Sequence, residues 1–227
     1  DDLLMDLCDI MNEEYKNVAD AGCPLIQIEE PLIHSVALSG DAADKRLQFL
    51  VEAFNREVRG LDAEIWAHTC WGNPSQQRMG WDPPSYEKSL SYLLELEADV
   101  LTIECASSDG RDLPLLANLK TDKKIAIGVV SHTNTMVEPA SVVADRVRRA
   151  LKYVPPDRLI LSTDCGFGRE GLSRRIAFYK TVALVQGVNI VRKELGLPEA
   201  RIRAEDPRFA FGQLSEQEPA SSLLPWQ

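Results

Sequence analysis

Hydrophobic positions along the chain follow two patterns that alternate from one end to the other. The first pattern is apolar residues at helical spacing with charged residues between them, and it predicts amphipathic helices. The second is a short run of consecutive apolar residues, which predicts a buried strand. The predicted helices cover residues 1–22, 41–59, 84–97, 138–152 and 171–195, with a short one near 111–119. The predicted strands are residues 24–31, 63–69, 99–106, 123–131 and 157–164.

Five strand–helix units in strict alternation indicate a parallel sheet covered by helices. Two architectures fit: an open, doubly wound, flavodoxin-like sheet of five strands and a (β/α)8 barrel. A barrel needs eight units and about 250 residues, so these five would be its C-terminal portion. Length alone does not decide between them. From residue 200 onward the periodicity ends, so we expect residues 1–199 to form the α/β domain and 200–227 an irregular extension.

Charge and hydropathy narrow the class of protein. The net charge of −10 argues against a nucleic-acid partner, because phosphate binding needs basic surface. The longest apolar runs fall far short of the roughly 20 residues that span a bilayer, and no secretory signal opens the chain. The first residue is not methionine, and the opening reads as the interior of a helix, as in a longer chain. The five cysteines are widely spaced, which favours reduced thiols in the cytoplasm over a disulfide framework.

Potential metal ligands cluster where three of the predicted strands end. In a strand, residues i and i+2 point the same way, so His68 and Cys70 present an imidazole and a thiol side by side. Parallel strands end at one edge of the sheet, and zinc prefers thiolate and imidazole ligands. The residues alone leave a zinc site and buried structural side chains as alternatives. The candidates are His68 and Cys70 after the second strand, Glu104 and Cys105 after the third, and Asp164 and Cys165 after the last.

Four stretches of this chain resemble a known family when taken together. They read "PLIQIEEP", "HTC", "ADVLTIECASSD" and "RLILSTDCGFGREG". In order and approximate spacing they are similar to the signature stretches of the C-terminal barrel of cobalamin-independent methionine synthase. The resemblance runs from about residue 18 to 195. It favours the (β/α)8 TIM barrel, of which this chain would hold about the last five units.

The resemblance also implies a set of site residues. It implies a Zn²⁺ site made by His68, Cys70, Glu104 and Cys165. His132, in "GVVSHTNTMVEP", falls near the position of the family's proton-donating histidine, in a stretch one residue shorter than the family's. Glu29 falls where the family has an aspartate that holds the amino group of homocysteine. Ser108 and Asp109 fall on positions that line the pocket for the thiol substrate.

The function implied is zinc-dependent transfer of a methyl or other alkyl group to a thiol, of the 5-methyltetrahydrofolate–homocysteine type. The segment after Cys70, "WGNPSQQRMGWDPP", departs from that pattern and resembles shorter, single-barrel relatives. One alternative is therefore alkyl transfer to coenzyme M, with Arg78 or Arg111 binding the sulfonate. A second is a metal-free barrel related to uroporphyrinogen decarboxylase. The expected partners are a small-molecule thiol and an alkyl donor, and the surface helices and the tail are compatible with a homo-oligomer.

Overall fold

The structure, a computed structural model, describes residues 1–40, 44–72, 83–117, 119–168 and 172–202. Its strands are β1 (Leu25–Glu29), β2 (Glu64–Thr69), β3 (Val100–Ile103), β4 (Lys124–Val130) and β5 (Leu159–Thr163). Its α-helices are α1 (Asp2–Asp20), α2 (Leu32–Ala37), α3 (Asp44–Val58), α4 (Leu90–Leu94), α5 (Ala140–Ala150) and α6 (Arg174–Glu194). A 3-10 helix covers Leu113–Leu116.

The order of the strands in the sheet decides between the two predicted architectures. The five strands pair in parallel and in chain order, β1-β2-β3-β4-β5. A flavodoxin-like sheet has the order 2-1-3-4-5, whereas a barrel adds each strand beside the previous one. The registry sets Glu29 beside His68 and His68 beside Thr102. All five strands therefore deliver their carboxyl ends to one edge, as in a segment of a barrel.

The core lies between the sheet and its helices. Every residue of β3 is buried, and so are all but the first residue of β4. The helix α3 turns its i, i+3, i+4 face inward, and each fully buried Leu or Phe contributes roughly 1.5–3 kcal/mol. The buried residues of α3 are Leu47, Leu50, Val51, Ala53, Phe54 and Val58.

Two local differences from the predicted elements have clear physical causes. The first predicted strand ends at Glu29, because the Glu30 carboxylate accepts hydrogen bonds from the amides of Leu32 and Ile33 and starts the short helix α2. The predicted helix over 84–97 is reduced to α4 at Leu90–Leu94. There the Asp112 carboxylate accepts hydrogen bonds from Ser85 Oγ and the Tyr86 amide and holds that segment in a turn.

Three other expectations concern the chain as a whole. The five cysteines all lie among the described residues and are free thiols. No helix in the described part of the chain has the length and hydropathy to cross a bilayer. Most of the predicted extension, residues 203–227, lies outside the described residues, so the division at residue 200 remains a prediction.

Candidate metal centre

Three of the predicted ligands come together at the carboxyl edge of the sheet. His68 is the penultimate residue of strand β2, Cys70 directly follows that strand, and Cys165 lies two residues after β5. One ligand atom from each of the three lies within 4.8 Å of the others. The two sulfur atoms are 3.4 Å apart. An imidazole and two thiols at this separation are a donor set that zinc favours.

The His68 ring is oriented by a threonine on the neighbouring strand. Its Nδ1 lies 2.9 Å from Thr102 Oγ1, and the same hydroxyl lies 3.2 Å from the carbonyl oxygen of Ala67. If the hydroxyl donates to that carbonyl, it accepts from an Nδ1–H, which leaves Nε2 free as the ligand atom. A second hydrogen bond of this kind is how ligating histidines are generally held.

The two thiols do not share their proton equally. The hydrogen bond from Cys70, followed by that from His68, lowers the pKa of Cys165 to about 4. The same contact with Cys165, together with burial, strongly raises the pKa of Cys70. In the metal-free pair Cys70 Sγ donates a hydrogen bond to Cys165 Sγ, so Cys70 keeps its proton more strongly than Cys165 does. A cation that binds both sulfurs displaces the remaining proton.

Glu104, the fourth predicted ligand, lies in an adjoining acidic group. Its side chain is buried, and Oε2 accepts a hydrogen bond from the Trp71 amide at 3.0 Å. Burial, followed by the charge of Asp164, raises the pKa of Glu104 to about 8. Its Oε1 has no hydrogen-bond partner in the described part of the chain. A buried acceptor without a partner loses its hydration and gains no hydrogen bond in return. A bound cation, or a proton on the carboxylate, would provide the missing interaction.

Glu104 shares its group with His132 and Asp164, whose ligand atoms all lie within 4.8 Å of one another. The His132 ring is fully buried, and neither nitrogen has a hydrogen-bond partner among the described residues. The Asp164 carboxylate is fully engaged by the loop after β3: it accepts hydrogen bonds from the amides of residues 105–107 and from Ser107 Oγ, at 2.7–2.9 Å. Asp164 therefore holds the β3 loop against β5 and has little capacity left for a metal.

The predicted substrate-binding residues lie at the carboxyl end of β1 and in the segment after β3. Glu29 ends β1 with 63% of its side chain exposed, and its Oε2 is 3.8 Å from His68 Nε2. Ser108 donates a hydrogen bond to the Cys105 carbonyl. The Asp109 carboxylate is ion-paired with Arg149 of α5 at 2.8 Å. Their roles toward a substrate stay predictions.

The two arginines proposed for a sulfonate are placed differently. Arg111 donates to the Pro83 carbonyl oxygen, and its Nε is 3.8 Å from the Asp112 carboxylate. Arg78 lies outside the described residues.

A buried aromatic cluster behind Cys70 was missed by the sequence reasoning. His34 Nε2 lies 2.5 Å from the Cys70 carbonyl oxygen, and its ring centroid is 4.6 Å from that of Trp71. Tyr86 completes the cluster and donates to the Thr69 carbonyl. Burial lowers the pKa of His34 to about 4, so the ring is neutral. No pattern in the sequence indicates this cluster, because the six-residue helix α2 that carries His34 is too short to be read from hydrophobic spacing.

Comparisons with known proteins cover most of the chain. The sequence model described as "Cobalamin-independent synthase, Catalytic domain" matches residues 1–185. A methionine synthase of Saccharolobus solfataricus is 33% identical over 194 residues, which are 86% of this chain and 52% of the relative. A methionine synthase of Thermococcus kodakarensis is 33% identical over 195 residues, again 86% of this chain and 52% of the relative. The chain thus spans about half the length of these curated relatives.

Solved structures agree with the sequence comparisons. A B12-independent methionine synthase from a Shewanella species, in complex with selenomethionine, has a TM-score of 0.71 and 30% identity, and covers 84% of this chain and 55% of that one. A putative enzyme of the same type from Listeria monocytogenes, at 19% identity and a TM-score of 0.50, shows the fold alone. The (β/α)8 barrel expected from the sequence is thereby confirmed over the flavodoxin-like sheet. The chain belongs to the cobalamin-independent synthase catalytic-domain family.

Proposed function

We propose that this chain carries the zinc-binding half of an enzyme that transfers a methyl group to a thiol, of the cobalamin-independent methionine synthase type. The observation that carries the proposal is the donor group of His68, Cys70 and Cys165 within 4.8 Å of one another. Glu104 lies outside that group of three, but its charge interacts with Cys165 and its Oε1 has no hydrogen-bond partner among the described residues, which supports it as the fourth ligand. A metal-free decarboxylase-like barrel gives no reason for this combination.

The residues fit zinc by their chemistry. Two thiols and an imidazole are soft and borderline ligands, which favour Zn²⁺ over Mg²⁺ or Ca²⁺. His68, Cys70, Cys165 and Glu104 would hold the ion. When bound, zinc supplies a Lewis acid that stabilises a substrate thiolate, whereas a free alkyl thiol with a pKa of about 8.5 is mostly protonated at neutral pH.

The chain's own residues then bind and orient the reactants. Glu29, acidic and exposed on the rim, orients the ammonium of an amino-acid thiol such as homocysteine. Ser108 and Asp109 are proposed to line the pocket for the thiol substrate, as the resemblance of their positions to the family implies. His132, buried with both ring nitrogens unpartnered in the described part of the chain, holds the proton that goes to the leaving group. The methyl donor is proposed to be a methyltetrahydrofolate, by similarity to the relatives named as methionine synthases.

The test is replacement of one sulfur ligand. We expect Cys165→Ser to reduce bound zinc, measured by elemental analysis, from about one equivalent to near zero, and to abolish methylation of homocysteine. The matched control is Cys23→Ser, because the Cys23 thiol only donates to the Leu25 carbonyl at a distance from the site. A Cys165→Ser protein with full zinc content and turnover would refute the site.

The acceptor thiol is tested separately. X-ray absorption at the zinc edge reports a new sulfur ligand when a thiol binds the ion. We expect homocysteine to add that sulfur and coenzyme M to leave the spectrum unchanged, because Glu29 suits an ammonium and repels a sulfonate. The reverse result would assign the chain to the coenzyme M class.

A further inference from the structure

A buried ion pair lies behind the carboxyl end of β4, outside the residues used above. Lys180 of α6 is fully buried, and its Nζ is 2.8 Å from Oε2 of Glu138, which precedes α5. Arg146 flanks the pair, with NH1 at 3.8 Å from Glu138 Oε1, and donates to the Val129 carbonyl at 2.8 Å. Burying a lysine and a glutamate costs free energy, and replacing such pairs by apolar residues is often neutral for stability. Stability alone is therefore a weak reason for this pair.

Both members of the pair bind the backbone of one residue. Glu138 Oε1 accepts a hydrogen bond from the Ser131 amide at 2.9 Å. Lys180 Nζ donates a hydrogen bond to the Ser131 carbonyl oxygen at 3.1 Å. The amide and the carbonyl of Ser131 are thus both hydrogen-bonded to side chains of the α5–α6 region. His132 is the next residue in the chain.

The Ser131 side chain connects the end of β4 to the segments that follow β3 and β5. Its Oγ lies 3.1 Å from Ser107 Oγ, and Ser107 in turn donates to the Asp164 carboxylate. Ser131 Oγ also accepts a hydrogen bond from the Thr133 amide. The backbone on both sides of His132 is therefore fixed by hydrogen bonds.

The His132 ring has no such bonds of its own in the described part of the chain. Its direction is then set by the backbone that carries it and by packing. We propose that Lys180 and Glu138 are positioning residues: by holding Ser131 they keep the His132 imidazole against Glu104 and Asp164. This inference rests on the proposed function only for the statement that His132 transfers a proton.

A spectroscopic test does not depend on turnover. The chain has three histidines, His34, His68 and His132, so ¹⁵N labelling of histidine rings in the zinc-loaded protein gives a spectrum that can be assigned by the loss of one signal in His132→Gln. In Lys180→Met we expect the His132 ring signals to shift or broaden while those of His34 and His68 stay in place. The matched control is Arg148→Met, which removes an exposed α5–α6 ion pair with Glu194 and should move none of the three.

Lys180→Met leaves Glu138 buried with only the more distant Arg146 as an ionic partner among the described residues, so a second variant removes both charges of the Lys180–Glu138 pair. The Glu138→Gln/Lys180→Met protein lacks both of these charges, retains Arg146 with its hydrogen bond to the Val129 carbonyl, and keeps an acceptor for the Ser131 amide but no donor for its carbonyl. A selective change at His132 in this variant supports the proposal. Three results would each overturn the proposal and show that the pair is purely structural. They are unchanged ring signals, equal shifts of all three histidines, and failure of the double variant to fold.

Kinetics separate this inference from the proposed function. With homocysteine as acceptor, Lys180→Met should lower kcat about tenfold to a hundredfold relative to the wild-type enzyme, because misplacing a catalytic group by about an ångström can cost up to about a hundredfold in rate. Zinc content and the KM for the thiol should not change. If the wild-type chain methylates no thiol, the proposed function fails, while the histidine signals still decide whether the pair positions His132.

Discussion

The Asp164 carboxylate links two strand ends through the backbone. Its Oδ1 accepts from the amides of Cys105 and Ala106, and its Oδ2 accepts from the amide and hydroxyl of Ser107. Burial raises the pKa of Asp164, and these hydrogen bonds oppose that shift. Asp164, at the carboxyl end of β5, thus fixes the position of the loop that follows Glu104.

Replacing this carboxylate by an amide tests that role. In Asp164→Asn the side-chain NH₂ faces the Ser107 donors, and leaving a buried donor unsatisfied costs about 1–3 kcal/mol. We expect urea unfolding to show a loss of this size, together with weaker zinc binding. Asp109→Asn is the control, since its ion pair with Arg149 is exposed and worth about 1 kcal/mol or less. Equal losses in the two variants would contradict the assignment.

Gly128 of β4 is required by the same carboxylate. A Cβ at this position would lie 2.0 Å from Asp164 Oδ1 and 2.8 Å from its Cα. We expect Gly128→Ala to lower Tm by several degrees and to reduce zinc content, because the strand end must move. Gly168→Ala, where a Cβ meets nothing within 4 Å, should change stability by less than about 0.5 kcal/mol. Retention of wild-type Tm and zinc in Gly128→Ala would show that the two strand ends are not in close contact.

At the scale of elements, α5 and α6 approach each other at Gly187. A Cβ there would lie 2.5 Å from Val143 Cβ and 2.7 Å from the Ala140 carbonyl oxygen. In an exposed helix, Gly→Ala stabilises by roughly 0.5–1 kcal/mol. Here we expect the opposite sign, with a lower Tm and a weakened α5–α6 contact. The check is thermal unfolding of Gly187→Ala, and a rise in Tm would show that the helices can separate at no cost.

The elements that the sequence predicts well are those with a strong local pattern. All five strands and the helices α1, α3, α5 and α6 lie within a few residues of their predicted ranges, because each has an apolar run or face long enough to be read alone. The six-residue α2 was missed, and α4 was predicted too long. Both are decided by carboxylates, Glu30 and Asp112, whose hydrogen bonds to nearby amides cannot be seen in a hydrophobic pattern.

In the candidate site too, residues with a local sequence signal could be predicted, whereas residues placed by contacts between distant segments could not. His68, Cys70 and Cys165 could be predicted to meet because parallel strands end at one edge, and the structure brings their ligand atoms together. His34, Lys180 and the organising role of Asp164 depend on contacts between distant segments. No spacing in the chain reports such contacts, so these residues emerge only from the structure.

At the scale of the whole molecule, zinc should stabilise the fold. A ligand that binds only the folded state adds about 4 kcal/mol when its free concentration is a thousand times its Kd. We expect a chelator to lower the Tm of the zinc-loaded wild-type protein by several degrees. The Tm of Cys165→Ser should not respond to the chelator. An equal response in both proteins would mean that zinc binds elsewhere.

The sulfur atoms of the centre come from positions 95 residues apart in the chain. Closing so long a segment is entropically costly and slow, and it requires β2, β3, β4 and β5 to be side by side first. A ribosome-bound nascent chain that has not yet extruded β5 therefore lacks Cys165, one of the two sulfur donors. Capture of the ion would then follow the pairing of β5 with β4, and a polypeptide truncated before β5 would lose affinity for the metal.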